Sequence, residues 1–246
     1  MRNRFFFFLI FLVSIFSCSE NNEKIVPKTL QDHININSNL LIDEVIACAA
    51  SKNFENNISY IFYYPELGAS EIKYFETSSI EDNKNNFSLY KEKELLKENV
   101  FNGYLGRFLR DSSTEGWCIV TYKTKGKFHK SNPIRLKNVS KPTEWTDVIT
   151  IDNSTSLMPK FLWDDGLVKE NAIYFQVITD SENNLLSGTY TYDKWFQYYN
   201  LANVVLNVTR STPPNLIQGE DYGFTMMGVS EDNWVNLVIQ KKNKAE

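Results

Sequence analysis

The chain is poor in the residues that most often carry chemistry. Its 246 residues include only two histidines, His33 and His129, and three cysteines, Cys18, Cys48 and Cys118. That inventory argues against zinc sites built from four cysteines, or from two cysteines with two histidines, and leaves little for histidine-based acid–base work. A dominant charge is lacking too: 26 Lys plus Arg stand against 30 Asp plus Glu, a net of −4. No basic field draws in nucleic acid by its phosphates. The G-x-S-x-G, H-E-x-x-H, P-loop and G-x-G-x-x-G motifs do not occur. The expectation is a chain that is no enzyme and needs no cofactor. Charged residues at 23% and apolar residues at 42% lie near globular usage, so the chain folds.

Long apolar runs are absent except at the N-terminus, where Arg2 and Arg4 precede a stretch from Phe5 to Phe16 broken only by Ser14. Such a run rises about 18 Å as a helix, short of a hydrocarbon core of roughly 30 Å, so it reads as a cleaved signal peptide. Its end, Ile15-Phe16-Ser17-Cys18, resembles the bacterial lipobox. By that resemblance residues 1–17 are removed and Cys18 carries a diacylglyceryl thioether and an N-acyl chain, an anchor that holds stably because it uses several chains. The alternative is an ordinary secretory signal with an incidental cysteine. Ser19-Glu20-Asn21-Asn22-Glu23 looks like the signal that sends Bacteroidota lipoproteins to the outer face of the outer membrane. Localisation is therefore expected at the outer membrane, on its periplasmic or cell-surface face. Residues 18–39 are polar, contain Pro27 and lack sustained periodicity, which reads as a lipidated tether reaching on the order of 25 Å.

Beyond the tether, aromatic and β-branched runs alternate with Asn, Asp, Gly and Ser clusters, the spacing of a β-sandwich. In residues 40–141 strands are expected at Glu44–Ala50, Ser59–Tyr64, Glu71–Thr77, Gly103–Leu109, Trp117–Thr124 and Ser131–Lys137. Phe87–Asn99 fits either a short amphipathic helix or an edge strand. Asn138–Thr143, with Lys141-Pro142, reads as the interdomain link. In residues 142–246 strands are expected at Val148–Ile151, Pro159–Trp163, Ala172–Thr179, Ser187–Tyr192, Val204–Thr209, Tyr222–Val229 and Trp234–Gln240. The fold class is thus all-β: two tandem β-sandwich domains after a signal peptide and a flexible tether.

Leu216-Ile217-Gln218-Gly219-Glu220-Asp221-Tyr222 resembles the fibronectin type III corner, in which a leucine six positions before a tyrosine plugs the sandwich end and the tyrosine hydroxyl bonds nearby backbone. The resemblance covers about residues 143–242. It implies that Trp163 is the second-strand tryptophan and that Phe175 and Val177 are core positions of the third strand. The first half is similar to the same fibronectin type III or immunoglobulin-like class only in its closing strands. Charge also separates the halves: residues 39–141 hold 15 basic and 13 acidic side chains, and residues 142–246 hold 7 and 14.

Three groups of candidate site residues follow. The run Tyr190 to Tyr199 holds six aromatics in ten residues. Period-two alternation leaves only one strand face for the core, so Tyr190, Tyr192, Trp195 and Tyr198 become candidates for stacking on sugar or anchoring a protein. Trp234, in the turn Ser230–Trp234, joins them. The fibronectin arrangement puts that turn at the same pole as Asp164 and Asp165, so these two with Glu231 and Asp232 form a weak calcium candidate that lacks a D-x-D-x-D-G ladder. Cys48 and Cys118 either bridge, stabilising by roughly 4 kcal/mol through loop closure, or stay buried free thiols. The function expected is a lipid-anchored cell-envelope protein with a non-catalytic binding or scaffolding role. The alternatives are a glycan-binding accessory lipoprotein of a polysaccharide uptake system and, further off, an envelope hydrolase. Its expected partners are the membrane and an envelope protein or polysaccharide, and not nucleic acid.

Overall fold

The computed structural model describes residues 28–246. The signal peptide and Cys18 lie outside the described residues. A helix, α1 (Leu30–Ile36), comes first, in the stretch read as tether. Thr29 starts it by a capping box: its hydroxyl accepts the Asp32 N–H (3.1 Å), and the Asp32 carboxylate accepts the Thr29 N–H (3.1 Å). Leu30 is fully buried with Phe75, Tyr90 and Ile119, and the His33 ring lies 5.2 Å from that of Phe128. The helix is therefore docked on the first sandwich. Among the described residues no helix is long and apolar enough to cross a membrane.

The N-terminal domain contains β1 (Leu41–Val45), β2 (Ala47–Lys52), β3 (Glu55–Tyr63), β4 (Ser70–Glu76), β5 (Lys91–Lys93), β6 (Leu96–Val100), β7 (Leu105–Asp111), β8 (Trp117–Thr124), β9 (Lys127–Ser131) and β10 (Ile134–Arg135). One sheet runs β1-β9-β8-β4-β5 with β10 on β8, and the other β2-β3-β7-β6. The run expected as one strand changes sheets at Ile46: β1 pairs parallel with β9, and β2 pairs antiparallel with β3. Phe87–Leu89 is a 3-10 turn followed by β5 and β6, which decides the open segment in favour of strands. In immunoglobulin lettering the sheets are A-B-E-D and G-F-C-C′, a sandwich of that class. The close approach of strands here requires glycine at 106, where a Cβ would lie 2.2 Å from the Tyr63 ring.

The C-terminal domain contains β11 (Glu144–Thr146), β12 (Thr150–Asp152), β13 (Lys160–Leu162), β14 (Ile173–Thr179), β15 (Leu185–Thr191), β16 (Trp195–Gln197), β17 (Val204–Asn207), β18 (Asp221–Val229) and β19 (Val235–Lys244). Its sheets are β11-β19-β18-β14-β15-β17 and β12-β13-β16, the fibronectin type III arrangement of G-F-C-C′ over A-B-E. The tyrosine corner is formed: the Ile217 N–H donates to the Tyr222 hydroxyl (2.9 Å), and Leu216 is buried in the core. Trp163 lies in the same core.

One register expectation is corrected. Tyr174 and Ile178 face the inner core, whereas Phe175 and Val177 point out of the sandwich. They are still buried, because the outer face of this sheet packs on the β2-β3-β7-β6 sheet of the first domain. Ala50, Phe62 and Leu105 from one side meet Phe175, Val177, Met227 and Val238 from the other. The two sandwiches stack into four sheet layers. This explains why β14 shows no alternation: both of its faces are covered.

The link between the domains is built in. Asn138 is fully buried and donates to the carbonyls of Asn56 (2.6 Å) and Ser112 (3.2 Å). Ser51 and Thr143 exchange hydrogen bonds: the Ser51 N–H donates to the Thr143 hydroxyl (2.8 Å) and the Thr143 N–H to the Ser51 hydroxyl (2.7 Å). Cys48 and Cys118 are free thiols, which decides between the two alternatives the sequence leaves open. Cys118 faces the interior of the first sandwich, while Cys48 points from β2 into the interdomain layer. A strand cannot present one residue to both sides. Burial pushes the Cys48 thiol up to about 12, which suits an inert apolar filler.

Candidate functional site

The aromatic segment divides between packing and surface. Tyr190 stacks on Phe175 (4.5 Å between ring centroids) within the interdomain layer. Tyr198 is fully buried and donates to the Pro214 carbonyl (2.7 Å). Trp234 is fully buried as well, inside the core of the opposite domain, with Nε1 donating to the Lys141 carbonyl (2.8 Å). The structure therefore gives Tyr190, Tyr198 and Trp234 packing positions.

Tyr192 and Trp195 remain at the surface. Tyr192, just past β15, is 67% exposed. Trp195 on β16 is half-buried, with the Lys160 ammonium 4.4 Å from its ring centre, a cation–π contact. Asn203 donates to the Trp195 carbonyl (2.9 Å) and so ties β16 to the chain entering β17. β16 and β17 are the outermost strands of their sheets. Leu201, Val205 and Leu206, on β17 or just before it, are exposed, so apolar side chains border the unpaired edge of that strand. Charge or a covering segment usually protects such an edge. Exposed apolar patches of this kind mark interaction surfaces.

Beside Trp195, Lys194 enters the wall of a cleft of about 570 Å³ with Glu144, Leu162, Trp163, Asp164 and Asp165. Two of its three acids, Asp165 and Glu144, are committed to structure, and Asp164 is exposed. Asp165 accepts from Asn171 Nδ2 (2.9 Å) and the Tyr174 hydroxyl (2.5 Å), and pairs with Lys194 (2.5 Å). Burial alone would raise its carboxyl, but these partners outweigh burial and hold it below the ordinary carboxylate value. Glu144 accepts the Leu167 N–H (2.7 Å) and fastens that loop.

Asp232 sits with Glu231 in a different cleft, paired with Lys137 (2.6 Å) and bonded by the Ser230 hydroxyl (2.6 Å). Its carboxyl is also pushed up by burial and drawn down further by Lys137 and Ser230. Asp164, Asp165, Glu231 and Asp232 are thus not brought together around one ion position. Asp165 and Asp232 each hold a lysine of their own.

A group that sequence reasoning missed lies at one end of the first sandwich. One ligand atom each from Asp43, Glu66 and His129 falls within 4.8 Å of the others, the only such trio among the described residues. His129 is a buried residue of β9. Lys127 and Lys125 pair with Asp43 (2.7 Å) and Glu66 (2.9 Å). These bonds are the largest influence on the two carboxyls and hold both below the ordinary value. No local motif announces the trio, because it depends on the parallel register of β1 with β9.

No family model and no curated protein matches the chain. Among solved structures it is similar to the FN1-FN3 domains of chicken CNTN1, at 11% identity over 83% of this chain and 68% of that one, with a TM-score of 0.30. It is also similar to a two-domain fibronectin type III segment of chicken tenascin, at 11% identity over 82% and 98% of the two chains, TM-score 0.25. A third is the receptor tyrosine kinase Torso, at 13% identity over 85% and 76%, TM-score 0.24. The class stated above, two sandwiches of fibronectin type III or immunoglobulin-like order, rests on the strand order of this chain itself.

Proposed function

We propose that the chain is a non-catalytic binding or scaffolding protein of the cell envelope, held at the outer membrane by acyl chains on Cys18. Its two sandwiches act as one rigid body. The observation that carries this reading is the unpaired edge of β17, with Tyr192, Leu201, Val205 and Leu206 exposed on that strand or beside its start, and Trp195 half-buried on β16, the edge strand of the facing sheet. It stands on a molecule whose other candidate aromatics are consumed by packing. An extended segment of an envelope protein adding to β17 would satisfy its free backbone groups and cover the apolar side chains. A photo-crosslinker at position 205 is expected to yield one discrete protein adduct in cells. Leu206→Lys should abolish the adduct without changing the melting temperature, and Cys18→Ala should lose both the adduct and the membrane fraction. Absence of any adduct from correctly localised protein counts against the reading.

A second reading, glycan binding, is favoured by one observation: the 570 Å³ cleft combines Trp163 with Asp164, Asp165 and Lys194, and Lys194 is the chain neighbour of Trp195. Flat rings next to polar groups suit sugar faces. Retardation in polysaccharide affinity gels that disappears in Trp195→Ala, with unchanged melting, would select it over the protein partner. Unretarded migration across a glycan panel removes it.

A further inference from the structure

We propose that Asp43, Glu66 and His129 form a binding site for one divalent transition metal ion of the zinc type, with remaining coordination positions left to water. This site does not depend on the membrane anchor or on the β17 surface. His129 is 1% exposed, and its Nδ1 lies 3.3 Å from the Glu44 carbonyl oxygen. A carbonyl can only accept, so Nδ1 must carry the proton. Nε2 then holds a bare lone pair, and it is buried with no hydrogen-bond partner. Most buried acceptors in folded proteins have a partner, and one without a donor calls for an explanation such as a bound ion. Here the same residue is one corner of a trio whose other two corners are carboxylates.

The surroundings hold the group in place. The imidazole is stacked on Tyr122 at 4.5 Å and 18°. The Tyr122 hydroxyl in turn accepts the Glu66 N–H (3.3 Å), which ties the loop bearing Glu66 to the ring bearing the ligand nitrogen. Asp43 is directly opposite His129 in the parallel β1–β9 pair, so the two side chains leave the sheet on the same face. Metal-bound histidines commonly donate their second ring N–H to a backbone carbonyl, as His129 is placed to do with Glu44.

The donor set selects the ion. One imidazole nitrogen with two carboxylate oxygens suits zinc and its neighbours, whereas calcium and magnesium prefer oxygen alone. Lys127 and Lys125 now neutralise the acids, but both are exposed on long stems and can turn to water when a cation arrives. A bound ion would tie β1, the exposed edge strand that follows α1, to β9 and to the β3–β4 loop.

Calorimetry with Zn²⁺ on the full chain is the test, supported by thermal melts and by Co²⁺ absorption as a report on nitrogen–oxygen coordination. One equivalent is expected to bind and raise the melting temperature, while Ca²⁺ at the same concentration does neither. Asp43→Asn and Glu66→Gln, both at partly exposed positions, should each weaken binding tenfold or more. Lys127→Ala should tighten it several-fold, an effect that a simple surface ion pair would not produce. His129→Gln should abolish the Co²⁺ spectrum, and because that variant disturbs a buried position, the two carboxylate variants decide the matter if it fails to fold. No Zn²⁺ binding, or binding unchanged in both Asp43→Asn and Glu66→Gln, overturns the proposal.

Discussion

Trp234→Ala is expected to destabilise the protein by about 3–5 kcal/mol, the range for removing a large aromatic from a core. It should also split one unfolding transition into two. Trp234 belongs by sequence to the β18–β19 turn of the second domain, yet its ring is fully buried among Ile61, Phe108 and Leu136 of the first. Its backbone is bridged to Ala49 of β2, where the Ala49 N–H donates to the Asn233 carbonyl (3.0 Å). Asn233 makes the insertion possible by adopting a positive φ of 63°, a conformation asparagine tolerates better than most residues. Loss of the ring empties the first core and removes the second domain's deepest hold on it, so the two halves should cease to melt together. Trp234→Phe keeps most of the packing but leaves the Lys141 carbonyl without its donor, a change of about 1–3 kcal/mol. Urea unfolding followed by fluorescence and by circular dichroism measures both. A loss below about 1 kcal/mol for the alanine variant, against the core range above, or a single unchanged transition, would show that the insertion does not couple the domains.

That same residue shows where reading the sequence stops. Strand positions were legible wherever one sandwich explains the pattern: Trp117–Thr124 matches β8 end to end, and the Leu216–Tyr222 spacing led to a corner whose hydrogen bond is present. Failures concentrate where the second sandwich covers a face that one domain alone would leave to solvent. Period two places Tyr190 away from its own core correctly, but the neighbouring sheet is what it meets. The fibronectin type III resemblance implies an inward position for Phe175 and Val177, but they are apolar for the sake of the other domain. The helix α1 was missed for a different reason. Seven residues are too few for periodicity to register, and a Thr29-to-Asp32 capping box was its only local sign. Asp43 and Glu66 lie far from His129 in the chain, and the strand register that joins them is not encoded in any spacing.

Glu76→Ala should cost roughly 3–5 kcal/mol, the range for breaking a buried ion pair by removing one member. The pair joins the two sheets of the first sandwich, β4 to β7. Arg110 Nε donates to Glu76 (2.5 Å), with side-chain exposures of only 3% and 16%. The rest of the guanidinium is engaged as well: its two terminal nitrogens donate to the carbonyls of Ser112 (2.9 Å) and Thr114 (2.8 Å). Tyr74, buried in the core, donates its hydroxyl to the same carboxylate (2.7 Å). Removing Glu76 leaves a guanidinium in an apolar layer without its counter-charge and a phenol without its acceptor. Removing both charges together is another matter, because the desolvation of each ion opposes their attraction. Glu76→Leu combined with Arg110→Met should therefore be closer to wild type than Glu76→Ala alone. A double-mutant cycle in urea reads the coupling. If the single and double variants lose equal stability, the pair acts only as filler, and the carboxylate does not organise the arginine and the tyrosine across the sandwich.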